Sequence, residues 1–233
     1  MKERPIIFSA EMVRAILEGR KTQTRRVRGL EDVNNYPGSF VGVASLGALG
    51  YRGLCRSDYY LKPSAKKEYQ KYPRLYHWLL GVQSRELNPI PVRCPYGQPG
   101  DRLWVRETWA TTNTCDYLAP KEIWRYEHPP MLYYSAWTGA ARESKNRGKW
   151  RSPIHMPRWA SRITLEIKSV RVERVQEISE EDAIAEGISG GDWLGNPVGE
   201  YRKLWDSINA KRGYPWESNS WVWAIEFEQK GRG

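Results

Sequence analysis

Lys21 and Thr24 are the residues whose types and spacing first suggest chemistry. They lie in the run Glu18-Gly19-Arg20-Lys21-Thr22-Gln23-Thr24-Arg25-Arg26. Four cations within seven residues repel one another unless they are solvated or face an anion. In the functional reading, Lys21 and Thr24 point into one pocket. Residues three apart on a regular strand face opposite sides, so Lys21 is expected in a turn before the strand, and Gly19 allows that turn. The same composition suits a solvated basic edge strand, where Lys and Arg guard against edge-to-edge pairing.

A second set is Arg106-Glu107-Thr108-Trp109, which joins a cation, a carboxylate and a ring. Such a set suits a nucleobase, since a ring can stack and polar groups can read an edge. It equally suits a strand alternating core and surface. His155 lies between Pro153 and Pro157, where it either lines a cleft or caps a helix. Arg26 either orients an anion or a base carbonyl, or forms a structural ion pair.

The elements that position these residues follow from periodicity. Ser9 is expected to cap a helix over Ala10 to Glu18, with Met12, Val13, Ile16 and Leu17 as its apolar stripe and Gly19 ending it. Thr22 to Val27 reads as a strand. Residues 28 to 98 read as a long excursion. In it, Gly38 to Gly53 is glycine-rich, Ser64 to Leu80 looks helical with an interruption at Pro73, and Asn88 to Pro99 looks extended. Tyr59, Tyr60, Tyr69, Tyr72, Tyr76 and Trp78 cluster there. Pro99-Gly100-Asp101 is a turn before a strand over Arg102 to Trp109. Residues 110 to 149 are irregular, with a strand at Met131 to Ala136. Arg162 to Val175 reads as a strand pair, and a bulge or bend near Lys168-Ser169 would explain the switch of its apolar phase there. Ser179 starts a helix, with Ile178 as a staple, Asp182 at the capping-box position and Gly187 at the end. Trp221, Trp223, Ile225 and Phe227 alternate in a final strand. Short strands with short helices between them predict a curved, mostly antiparallel sheet or barrel with helices outside.

Composition narrows the class. A length of 233 residues suffices for a real core. The apolar share is only 40%, and twelve Trp and fourteen Tyr compensate with large rings. The net charge of +10 points to anionic partners, nucleic acid or nucleotides first. No stretch approaches the roughly 18 to 20 apolar residues of a membrane helix, and Met1 to Phe8 lacks a secretory apolar run. Cys55, Cys94 and Cys115 are odd in number and far apart, and His77, His128 and His155 are scattered. No disulfide scaffold and no metal site is expected, and the expected compartment is a reducing cytoplasm.

The run Gly19-x-Lys21-x-x-Thr24-x-Arg26 resembles the signature of the ASCH domain, a relative of the PUA RNA-binding fold. Other blocks agree in order: Gly100-Asp101-Arg102-Leu103-Trp104-Val105, Ser179 to Gly187, and Trp223-Ala224-Ile225-Glu226-Phe227. With Ser152 to Arg162 included, nearly the whole chain is similar to the longer ASCH proteins of phages and prophages. The family pattern often has glutamate where this chain has Thr24. The threonine form resembles a small bacterial ASCH amidohydrolase acting on N4-acetylcytidine, over about a hundred scattered residues.

The resemblance implies an α+β fold: one PUA-like (ASCH) β-barrel over residues 1–233, flanked by helices, with insertions at about 28–98 and 110–150. It implies amide hydrolysis on an N4-acylated cytidine-type nucleoside without a cofactor. The implied roles are Thr24 as nucleophile, Lys21 as base and Glu186 as proton donor. The physics is consistent: a hydroxyl needs a base, and a lysine serves when cations such as Arg20, Arg25 and Arg26 lower its pKa. Glu186 ends a helix, whose dipole disfavours a further negative charge there. It can equally be a solvent-facing glutamate. Arg26, Arg106, Glu107, Trp109 and His155 are the expected substrate contacts. The alternatives are a non-catalytic module binding RNA or a modified base, or a ribonuclease, against which the lack of an acidic cluster near Lys21 speaks.

Overall fold

The structure is a computed structural model that describes residues 1–35, 40–44, 77–83, 86–126, 129–139, 143–188 and 196–230. In chain order the elements are β1 (Glu3–Ile7), α1 (Ala10–Leu17), β2 (Gln23–Arg26), α2 (Glu31–Asn34), β3 (Phe40–Ala44), β4 (His77–Gln83), β5 (Glu86–Val92), β6 (Arg102–Arg106) and β7 (Trp109–Ala110). There follow α3 (Pro120–Tyr126), β8 (Tyr133–Tyr134), β9 (Thr164–Arg174), α4 (Glu180–Ala185), α5 (Pro197–Asn209) and β10 (Trp221–Lys230). The fold is mixed α/β. A five-stranded mixed sheet has the order β1-β6-β9-β10-β2, beside an antiparallel β3-β4-β5 sheet and a β7-β8 pair. Among the described residues no helix is long and apolar enough to cross a membrane.

The chain divides into two compact units. The first holds Met1–Thr22, Pro99–Lys168 and Phe227–Gly233; the second holds Gln23–Gln98 and Ser169–Glu226.

In the first unit β1 runs parallel to β6, and β6 pairs antiparallel with the start of β9. Ser9 Oγ accepts the Met12 amide at 3.3 Å, capping α1 as its sequence predicts. Val13, Ala15 and Ile16 are buried, but Leu17 is exposed, so the apolar stripe is narrower than expected. Gly19 takes φ +74°, and the Arg20 and Lys21 amides both donate to the Ala15 carbonyl. That left-handed turn closes the helix and delivers Lys21. A second core gathers Trp109, Cys115, Ile123, Tyr134, Met156 and Ala160. The excursion after β7 returns upon itself through bridges Trp109↔Arg151 and Thr112↔Arg147. Within it α3 is a helix where the sequence reads as irregular.

In the second unit β2 pairs antiparallel with β10: Gln23↔Glu226, Thr24↔Ile225, Arg25↔Ala224 and Arg26↔Trp223. Val27, Val175, Ile178, Ala183, Tyr201, Trp205, Trp216 and Val222 form its core. Ser179 Oγ accepts the Asp182 amide at 3.1 Å, and Gly187 takes φ +89° just after α4. The long helix α5 has its signals in sequence: Asn196 caps it through the Gly199 amide, Pro197 fits its first turn, and Tyr201 and Trp205 stand four apart.

Two expectations are corrected. Residues 77–80 belong to strand β4, not to a helix over Ser64 to Leu80, because β4 pairs on both sides with β3 and β5. Ser64 to Tyr76, with Tyr59 and Tyr60, lie outside the described residues. Arg162 to Val175 is not a strand pair: β9 is one unbroken strand of 11 residues. Its buried positions do change phase, from Leu165 and Ile167 to Val172.

Candidate functional site

Strand alternation decides which of the predicted site residues meet. On β2, Gln23 and Arg25 share one face, and Thr24 and Arg26 share the other. The Gln23 and Arg25 side chains both reach Asp182 of α4, at 2.8 and 2.6 Å. That face of β2 is therefore the one α4 covers. Glu186, the residue that caps α4, meets Arg25 there: its Oε1 lies 3.3 Å from Arg25 Nη1.

Arg25 is the hub of this face. Its side chain is fully buried, and its guanidinium also meets Glu173 of β9 at 2.6 Å. To reach β9 it must pass over the intervening strand β10. The residue in register with it there is Ala224, whose methyl group leaves the passage open. From β9, Arg171 donates to Asp182 at 2.6 Å, to Glu173 at 2.7 Å and to Glu226 of β10. The Tyr201 ring of α5 lies 5.9 Å from the Arg25 guanidinium.

The electrostatics follow from this packing. Burial by itself would lower the Arg25 pKa, but the charges of Glu186 and Glu173 outweigh it and hold the group above its ordinary value. Burial opposes ionisation of Asp182, yet the Gln23 hydrogen bond and the Arg25 and Arg171 charges bring its pKa below the usual range. Burial, reinforced by the Glu186 charge, pushes the Tyr201 phenol well up. Arg25 and Asp182 are therefore held in their charged forms beside a neutral phenol.

Thr24 lies on the other face of β2, opposite Ile225, and is 3% exposed. Arg26, half-buried on that face, is in register with Trp223. The Tyr96 phenol there is raised by burial, against the charges of Arg26 and Arg28. The structure thus brings Glu186 to Arg25, and Thr24 to the side of β2 that Glu186 does not occupy. Lys21 belongs to the first unit, where it is 2% exposed and its Nζ lies 5.7 Å from the Phe8 ring centre. Arg25 is the residue that sequence reasoning missed, having been given only a supporting charge. The signal available was the matching i, i+2 spacing of Gln23 with Arg25 and of Arg171 with Glu173. Asp182, expected as a capping-box side chain, instead spends its carboxylate on Gln23, Arg25 and Arg171.

The remaining predicted contacts lie in the first unit. Arg106 stacks on Trp104 at 4.6 Å and donates to the Ile154 carbonyl at 3.2 Å, beside His155. His155 is exposed in a short helical turn over Pro153–His155. Glu107 is 1% exposed and grips Arg162 through two hydrogen bonds of 2.9 and 3.0 Å. Burial raises its pKa, and the Arg162 contact only partly offsets that. Trp109 is buried in the core at the centre of the excursion, with its ring edge-on to Trp159. Glu107 and Trp109 are therefore framework rather than exposed contacts. Among the described residues no group of three or more His, Cys, Asp or Glu side chains is placed to hold a metal ion. In comparisons with protein-family models, curated proteins and solved structures, none matches the chain.

Proposed function

We propose that this chain is an ASCH-like module, of PUA-like barrel type, that binds RNA or a modified nucleobase without turning it over. The Arg25–Glu186 contact carries this reading. A proton donor for acyl transfer must reach the leaving amine, whereas Glu186 accepts from Arg25, which strand alternation sets on the face of β2 opposite Thr24. The net charge of +10 and the guanidinium–ring pairs, such as Arg106 on Trp104, agree with a single-stranded or nucleoside ligand.

A second reading is amide hydrolysis on an N4-acylated cytidine-type nucleoside, favoured by one observation. Lys21, Thr24 and Glu186 are 2, 3 and 4% exposed, and folding alone gains little from burying such groups. In that chemistry Thr24 Oγ bonds to the acyl carbon and its proton passes to Lys21 Nζ. The carbon–nitrogen bond breaks, the amine takes a proton from Glu186, and water then releases the acyl group from Thr24.

Incubation with N4-acetylcytidine, free and within RNA, followed by mass analysis, separates the two. Saturable binding with no mass change supports the module. Appearance of cytidine and acetate overturns it in favour of the hydrolase.

A further inference from the structure

In the first unit, a cavity of about 560 Å³ opens beside β1, β6 and the start of β9. Its size falls within the range of small-molecule sites. Four cationic side chains line it, Arg102, Arg158, Arg162 and Lys230, against the single carboxylate of Glu3. Trp159 and Leu132 supply an apolar wall, and Ser161 and Thr164 add hydroxyls.

The cations differ in how far they are already engaged. Lys230 is bridged to Glu166 at 3.1 Å. Arg158 donates Nε to Glu3 at 3.0 Å and Nη2 to Thr164 at 3.3 Å. Arg162 gives Nε and Nη2 to the buried Glu107, and its guanidinium lies 4.2 Å from the Tyr134 ring centre, so the two hydrogen bonds fix its plane and Nη1 is left for a ligand. Arg102 is the exception. It lines the cavity and makes no ion pair among the described residues, although its charge acts on Glu3.

From this arrangement we infer a binding site for a nucleoside monophosphate unit, with its phosphate among Arg102, Arg158 and Lys230 and its base against Trp159. Phosphate oxygens supply acceptors for the guanidinium groups that line the cavity, in the forked geometry such groups favour. A cavity of this volume is larger than a lone phosphate requires, and Trp159 and Tyr134 are among the residues that line it. Glu107 acts as a positioning residue by holding Arg162. Glu3 opposes the ligand, because it competes for Arg158. The inference is independent of Thr24 and of any cytidine chemistry.

Calorimetric titration of the full chain at low salt with adenosine monophosphate, adenosine and inorganic phosphate tests it, and adenine probes keep the result separate from N4-acetylcytidine. The monophosphate is expected to bind about tenfold or more tightly than either adenosine or phosphate. Arg102→Gln should weaken it by a similar factor, Lys230→Gln should weaken it less, and Glu3→Gln should tighten it. Melting curves for each variant identify any that fail to fold, and Lys230→Gln and Glu3→Gln keep the inference testable if Arg102→Gln does. Equal affinity for adenosine and its monophosphate, or wild-type affinity in a folded Arg102→Gln, overturns it. A short oligonucleotide with a terminal phosphate that binds like the monophosphate assigns the site to a strand end; binding of the monophosphate alone assigns it to the free nucleotide.

Discussion

Arg25 Nη1 stands 3.3 Å from Glu186 Oε1, joining the middle of β2 to the residue that caps α4. The contact belongs to a set in which Glu173 and Asp182 also bind Arg25, each at 2.6 Å. A fully buried guanidinium in this position holds the sheet and the helix together through charge. Arg171 shares Glu173 and Asp182 with it, so the two guanidinium groups together supply the counter-charge for this carboxylate set.

Removing that guanidinium should be severe. Arg25→Met should destabilise the protein by about 3–5 kcal/mol, the range for breaking a buried ion pair from one side. The carboxylates left behind then favour protonation, so part of the loss should return as the pH is lowered toward their ordinary range. Chemical denaturation at several pH values measures both effects. A variant equally unstable at all pH values would mean that lost packing, rather than unpaired charge, is the cause.

Asp182 contributes to the acid limb of the stability profile. Its folded pKa lies below the unfolded value, so its contribution is full above the ordinary aspartate range and disappears as the pH falls through the folded value. Asp182→Asn should therefore show a flatter loss of stability in acid than the parent. Glu107 has the opposite sign: its folded pKa is raised by burial, so its contribution is present below the unfolded value and declines as pH rises through the folded one. Melting temperatures across the acid range, compared between Asp182→Asn and Glu107→Gln, should diverge in opposite directions.

Gly19 isolates a backbone effect. An added Cβ would meet nothing within 4 Å, yet the residue holds φ +74°. Gly19→Ala should cost about 1–2 kcal/mol from the left-handed conformation alone. Because the turn delivers Lys21, urea denaturation of this variant is the appropriate readout, and a neutral result would show that the turn relaxes.

Thr24 is the pivot between the two functional readings. For a binding module, Thr24→Ala should weaken N4-acetylcytidine binding modestly and change no covalent bond. If the wild type does release acetate, Thr24→Ala and Lys21→Ala should each abolish that release while melting cooperatively. Mass analysis of the nucleoside provides the answer in both cases.

What could be read from the sequence was local. Ser9, Gly19, Ser179 and Gly187 act through neighbours within one turn, and each is found at the cap or left-handed position its type suggests. The alternation from Trp221 to Phe227 likewise needs no distant partner. Arg25 could not be read in this way, because Glu173, Asp182 and Glu186 lie 148, 157 and 161 residues away. The helical pattern near Leu80 gave way to pairing with β3 and β5, a tertiary preference that local spacing does not contain. The switch of apolar phase near Lys168-Ser169, for which a bulge or bend is the expected cause, lies within one unbroken strand.

The small side chain of Ala224 has an evolutionary consequence. It sits opposite Arg25 and leaves room for the guanidinium to cross β10 to Glu173. A larger residue at position 224 would close that route and strand the charge, so such a change is tolerable only together with loss of the arginine. Positions 25 and 224 should therefore drift as a pair through related chains, with bulk appearing at 224 only where position 25 has become apolar.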